Sequence, residues 1–104
     1  MDYTDLVTKL LSAVAQDNRI KIIQLLKDGE KCVCEIYPAL SLEQSNLSKH
    51  LKILSDAGIL EARKNGISMF YRVKDRRIFK IIEFAEKIVY DDIKKLSGLI
   101  SAKK

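Results

Sequence analysis

Cys32 and Cys34 are the only cysteines of the 104-residue chain, and one residue separates them in Lys31-Cys32-Val33-Cys34-Glu35. Thiols this close are not the framework of a secreted disulfide protein; in a reducing compartment such a pair is metal-binding or reactive. Soft thiolates suit As(III), Sb(III), Cd(II) and Pb(II), and also zinc. The same pair can oxidise to a CxC disulfide or a sulfenic acid. Lys31 and a nearby helix N-terminus favour the thiolate. The plain alternative is that both are small core hydrophobes. On a helix from Glu30 to Leu40 that turns Val33, Ile36, Tyr37 and Leu40 inward, however, Cys32 and Cys34 fall on opposite flanks of the buried stripe, neither at its centre.

A second group of residues suits a different task. Gln44, Ser45, Asn46, Ser48, Lys49 and His50 are polar, compact and close together on one candidate helix. Gln and Asn pair bidentately with adenine, and Ser and Lys serve phosphates or guanine. Such types at the start of a helix fit the second helix of a helix-turn-helix, which enters the major groove. The alternative is an ordinary solvated face, and charge placement weighs against it. Residues 43–77 carry eight basic side chains, including Lys49, Lys52, Lys64 and Arg72, against four acidic ones, a net of +4. Residues 1–42 hold five basic and six acidic side chains, a net of −1. The turn Lys64-Asn65-Gly66-Ile67-Ser68 is then a candidate wing touching backbone or minor groove.

Catalysis has little to work with. With a single His, and without a Ser/His/Asp arrangement or a phosphate-binding glycine loop, few options remain for general base chemistry. A thiol oxidoreductase would need the CxxC and βαβ context that is missing here. The chain is therefore expected not to be an enzyme.

The elements that must position these groups are legible from periodicity. Leu6, Val7, Leu10, Leu11 and Val14 recur at helical spacing behind Asp2 or Thr4 as cap. Ile20, Ile22, Ile23 and Leu26 mark a second helix, capped by Asp17 or Asn18 and closed at Asp28-Gly29. A third covers Glu30 to Leu40. Ser41-Leu42-Glu43-Gln44 matches a capping box for a fourth, whose buried stripe is Leu47, Leu51 and Leu54 and whose end is Gly58. The period then changes to two, giving strands near 59–63 and 69–73 around an Asn-Gly turn. From Arg76 onward Ile78, Ile81, Ile82, Ala85, Ile88, Val89, Ile93, Leu96 and Ile100 continue a long last helix whose apolar stripe exceeds what the body needs to cover. That surplus implies a homodimer seam, the plain alternative being one more core helix folded onto the body.

Size and composition agree with one compact domain over residues 1–104, with 47% hydrophobic residues, net charge +5 and pI near 9.2. The excess of positive charge is compatible with a polyanionic partner. No apolar run approaches the roughly 20 residues of a membrane span, and residues 1–14 lack the pattern of a secretory signal. A cytoplasmic protein without membrane association is expected.

These residues carry a resemblance. Asp17 to Leu26, Leu47-Ser48-Lys49-His50-Leu51-Lys52-Ile53-Leu54-Ser55-Asp56-Ala57-Gly58-Ile59-Leu60 and Phe70-Tyr71-Arg72-Val73 resemble the early helix, recognition helix and second wing strand of the ArsR/SmtB family of winged-helix repressors. The resemblance implies a mainly α, dimeric winged helix-turn-helix, with its wing at about 60–73 and its dimerisation helix at about 76–100. It implies double-stranded operator DNA as partner, held by Gln44, Ser45, Asn46, Ser48, Lys49, His50, Lys52, Lys64, Asn65 and Arg72. Glu30-Lys31-Cys32-Val33-Cys34-Glu35-Ile36 resembles the Cys-Val-Cys element of the arsenic-sensing branch, which makes Cys32 and Cys34 the metal ligands. As(III), Sb(III) or another thiophilic metal would be the inducer, and no cofactor is obligatory.

Departures matter as well. Arsenic sensors of this type often add a third thiol where this chain has Tyr37. The N-terminal cysteines of cadmium and lead sensors are absent, and the last helix has Glu83, Glu86, Asp91 and Asp92 but not the His of zinc sensors. On a regular helix, residues i and i+2 point about 160° apart, so chelation by Cys32 and Cys34 is expected to unwind the first turn and move the reading helix. A redox-sensing regulator using the same cysteines, a thiol oxidoreductase, and a dimer that binds protein through the wing stand as alternatives.

Overall fold

The computed structural model describes residues 2–102, the side chains of 99–102 excepted. Helix α1 (Tyr3–Val14) opens on a capping box of Asp2 and Asp5. Helix α2 (Asp17–Leu25) is capped by Gln16, whose Oε1 accepts from the Arg19 amide at 3.0 Å, so neither Asp17 nor Asn18 is its cap. A 3-10 turn at Leu26–Asp28 follows, and the chain reverses at Gly29 with φ 134°, a value that an L side chain rarely adopts.

The third helix does not begin at Glu30. Lys31–Cys32 form a short strand, β1, and helix α3 runs Val33–Leu40. The reason is pairing at a distance. Lys31 lies opposite Tyr71 and Cys32 opposite Phe70, so the backbone here completes a sheet ladder instead of a helical turn. Ser41 then closes α3 in the left-handed conformation (φ 53°, ψ 34°). The expected Ser41 capping box is therefore not formed: Ser41 is spent on reversing the chain, and Glu43 precedes helix α4 (Gln44–Asp56) without a side-chain cap.

Strands β2 (Leu60–Asn65) and β3 (Ser68–Val73) form the hairpin, and the sheet order is β1-β3-β2, antiparallel throughout. Asn65 pairs with Ser68, which puts Gly66 and Ile67 at the turn, one step later than the Asn-Gly reading. Gly66, at φ 66°, supplies the positive φ that a two-residue hairpin turn needs at its first central position.

The core is one cluster. Ile22, Ile23 and Leu26 meet Ile36 of α3 and Leu47, Leu51 and Leu54 of α4, with Ile59, Leu60 and Val73 closing it from the sheet side. Each such side chain, fully buried, stabilises by about 1.5–3 kcal/mol relative to exposure. Leu47, Leu51 and Leu54 thereby orient α4 so that its opposite face meets solvent. Among the described residues, helix α5 (Arg77–Ala102) joins the core through Ile78, Phe79 and Ile82. Its other described apolar side chains, including Phe84, Ile88, Val89, Tyr90, Ile93 and Leu96, are exposed; those of Leu99 and Ile100 lie outside the described ones. At 26 residues the helix outruns the body, and the radius of gyration of 16.8 Å exceeds the roughly 13 Å of a compact chain this long. No helix among the described residues is long and apolar enough to cross a membrane.

Candidate nucleic-acid interface and its dithiol

Gln44, Ser45, Asn46, Ser48, Lys49 and Lys52 are all exposed on α4, and Lys64, Asn65 and Arg72 are exposed on the hairpin. Two of these cations are already paired: Lys52 Nζ with Asp56 at 3.1 Å, and Arg72 Nη2 with its cross-strand neighbour Glu61 at 2.9 Å. Both pairs are open to solvent, so they offer little resistance to a phosphate.

His50 is placed differently from its neighbours. It is half-buried, and its Nδ1 lies 3.2 Å from Arg19 Nη1, while Arg19 Nε donates to the Ala13 carbonyl at 2.6 Å. Arginine only donates, so Nδ1 is the acceptor and the imidazole is neutral. Burial, and then the Arg19 charge, hold His50 below its ordinary pKa of 6.5. Arg19 therefore ties the end of α1 to the reading helix. Nothing in the one-dimensional pattern pairs Arg19 with His50, and this link was missed.

The two cysteines lie in unlike environments. Cys32 is buried at 5% exposure, a core-side position that the flanking-helix reading did not anticipate, whereas Cys34 is exposed. Tyr37, expected to face inward, is 42% exposed. Both differences follow from the late start of α3, since Cys32 stands outside the helix as its N-cap, with extended backbone (φ −69°, ψ 146°). Cys32 Sγ accepts from the Cys34 amide at 3.1 Å, and Glu35 Oε1 accepts from the Cys32 amide at 3.0 Å. The two sulfurs are joined as a disulfide. The expected 160° divergence therefore does not exist, and bringing both sulfurs to one atom requires no unwinding of α3.

A cleft of about 640 Å³ connects this pair to the reading surface. Cys32, Cys34 and Tyr37 line one wall, Gln44, Ser48 and Lys52 of α4 a second, and Ile67, Ser68 and Met69 of the hairpin a third. Ser55 Oγ, also in the lining, is buried without a hydrogen-bond partner. The sheet adds a backbone route from thiols to wing, because Cys32 pairs with Phe70 and Phe70 with Arg63. Arg63 stacks over the Phe70 ring at 4.9 Å and grips Glu30 with two bonds of 2.7 and 3.1 Å. That bidentate contact holds the Glu30 carboxyl below its usual range. Spacing alone carries no signal for it.

Among the described residues no group of three or more His, Cys, Asp or Glu side chains could hold a metal ion. Glu83, Glu86, Asp91 and Asp92 are exposed on α5. Joined as a disulfide, Cys32 and Cys34 offer no thiolate, so a thiophilic ligand requires the reduced pair.

A family model described as "Bacterial regulatory protein, arsR family" matches residues 16–62, from the cap of α2 into β2. The HTH-type transcriptional regulator MJ1325 of Methanocaldococcus jannaschii is 35% identical over 85% of this chain and 100% of its own length. The chain belongs to the arsR family. This family is one of DNA-binding transcriptional regulators. The arsenical resistance operon repressor of Escherichia coli is 38% identical over 62% of the chain, which spans 56% of that repressor's length. Among solved structures, the homodimeric winged helix-turn-helix DNA-binding domain Mb0332 of Mycobacterium bovis superposes with a TM-score of 0.77 at 25% identity, covering 88% of this chain and 84% of that one. The arsR-family chain is thus a winged helix-turn-helix, mostly helical with a small three-stranded antiparallel sheet.

Proposed function

We propose that this single winged helix-turn-helix domain is a cytoplasmic, homodimeric repressor that leaves its operator when a thiophilic metalloid, As(III) first, binds Cys32 and Cys34. The observation that carries the reading is the shared cleft: the thiols, Gln44 and Ser48 of the reading helix, and Ile67 to Met69 of the wing face one space. Likeness to the arsenical resistance operon repressor supports the choice of As(III). In this reading the reduced Cys32 and Cys34 each lose a proton and bind the metalloid, and a solution thiol or hydroxide completes its shell. The ligated sulfurs act on the wing through the Cys32–Phe70 pairing and on α4 through the cleft, so the ligand favours the conformation that does not fit DNA.

Dimerisation is the second part of the proposal. Leu11, Val14 and Ile20 on one side and Ile81, Val89, Tyr90 and Ile93 of α5 on the other line an apolar groove of about 880 Å³, and Tyr3, Leu6 and Val7 of α1 are exposed as well. A patch of this kind marks an interaction site, and the homodimeric Mb0332 domain supports a twin as the occupant.

The deciding experiment selects operator duplexes from random DNA. Binding is then measured with and without As(III), Sb(III), Cd(II), Zn(II) and peroxide, on the native chain and on Cys32→Ser and Cys34→Ser. Operator release by As(III) that both substitutions abolish is the expected result. Equal affinity with and without bound metalloid would sink the proposal. The joined sulfurs of Cys32 and Cys34 favour a second reading, a redox-sensing regulator, for which peroxide alone would change operator affinity with the loss of two hydrogens and no metalloid adduct.

A further inference from the structure

We propose that Cys34 is a modification site for low-molecular-weight thiols, with Cys32 as the sulfur released, and that the adduct fills the cleft between reading helix and wing. The proposal deepens the redox reading and rests on it for its effect on DNA, but the preference between the two sulfurs stands on local geometry alone.

Thiol–disulfide exchange needs an open path to the attacked sulfur and a stabilised leaving sulfur. Cys34 supplies the path, being exposed at the first turn of α3 and facing the cleft. Cys32 lines the same cleft but is buried at 5% exposure, in the strand that pairs with Phe70. It is also the better leaving group. Its Sγ is the N-cap acceptor of the eight-residue α3, already receiving the Cys34 amide at 3.1 Å, where the positive end of the helix dipole meets developing negative charge.

The exchange balances. A thiolate RS⁻ attacks Cys34 Sγ; the Cys34–Cys32 bond breaks, and its electron pair leaves on Cys32 Sγ. The products are the mixed disulfide Cys34–S–S–R and the Cys32 thiolate. A second RS⁻ attacking the outer sulfur releases RSSR and completes a two-electron reduction to the dithiol. The cleft, at about 640 Å³, falls inside the roughly 300–1,000 Å³ range of small-molecule sites. Lys52 on its wall is held by Asp56, which lines the same cleft, in an open ion pair of 3.1 Å that a thiol carrying carboxylates must displace. An adduct held there stands between Gln44 and Ser48 on one side and Ile67 and Met69 on the other, beside the α4 face assigned to DNA in the proposed function.

The test uses glutathione on the oxidised full chain, acid quenching and fragmentation mass spectrometry. A mixed disulfide on Cys34 in at least about tenfold excess over Cys32 is expected. Equal labelling, or labelling mainly at Cys32, overturns the assignment. Operator affinity is then compared before and after glutathionylation of Cys32→Ser by oxidised glutathione, in which the Cys34 thiolate attacks GSSG and releases GS⁻; the substitution keeps a good N-cap residue at α3. A loss of about tenfold or more is expected, and unchanged affinity overturns the placement in the cleft. A chain that binds no duplex DNA in any state refutes the operator reading instead, because the sulfur preference is read by mass alone.

Discussion

Arg19 Nη1 lies 3.2 Å from His50 Nδ1 while Arg19 Nε donates to the Ala13 carbonyl at 2.6 Å, so one guanidinium links the end of α1 to the reading helix. Replacing Arg19 with Ala removes both bonds and leaves a part-buried carbonyl without its donor. The expected loss of stability is about 1–3 kcal/mol, read by urea unfolding.

The same contact makes a pH prediction. His50 is held below 6.5 by burial and by Arg19, so the unfolded chain takes up this proton before the folded chain does. Stability from this site is complete above about 6.5 and is lost as pH falls through that value toward the folded pKa. His50→Gln should flatten the slope of stability against pH in this window. A slope that is the same in both proteins would rule the contact out as its source.

Asp75 behaves as the acid counterpart at the start of α5. Its Oδ1 accepts from the Arg77 amide at 2.9 Å and its Oδ2 from Arg77 Nη2 at 2.6 Å, which brings its pKa down to about 2. The stabilisation is present above the ordinary value of 3.8 and disappears as pH falls toward 2. Carboxyl-carbon NMR titration should find the midpoint near the lower figure, and Arg77→Ala should raise it.

On the DNA side, Gln44→Ala should weaken selected operator binding by about 1–3 kcal/mol and relax preference at one position. Lys64→Ala should weaken all duplexes alike and lower the salt slope by about one. Fluorescence anisotropy over a salt series separates the two behaviours.

For the dimer, Ile93→Glu places a charge in the exposed apolar stripe of α5, far from the Ile78, Phe79 and Ile82 contacts that hold the helix to the body. Light scattering after size exclusion should show monomer at concentrations where the native chain is dimeric, with unchanged helical circular dichroism. Dimer mass retained by the variant would exclude the α5 seam.

Periodicity alone determined most of the architecture. The stripe Leu47, Leu51 and Leu54 is a local pattern of the chain, and it settles which face of α4 is buried and hence which residues can meet DNA. The change to period two after Gly58 did the same for the wing. Cys32 and Cys34 stood out by residue type before any geometry was known, and the likeness of their surroundings to an arsenic-sensing element needed only adjacent residues.

Tertiary structure alone decided what the two sulfurs are to each other. Lys31–Cys32 is too short to carry a period, and it is a strand only because Tyr71 and Phe70 lie alongside it. That pairing delays α3 to Val33, makes Cys32 its cap, turns Tyr37 outward and removes the helical constraint that separated the thiols. The shared cleft and the Arg19–His50 and Glu30–Arg63 contacts are likewise products of distant segments meeting. Local patterns report which way a residue faces; only packing reports what it faces, because that depends on parts of the chain far away in sequence.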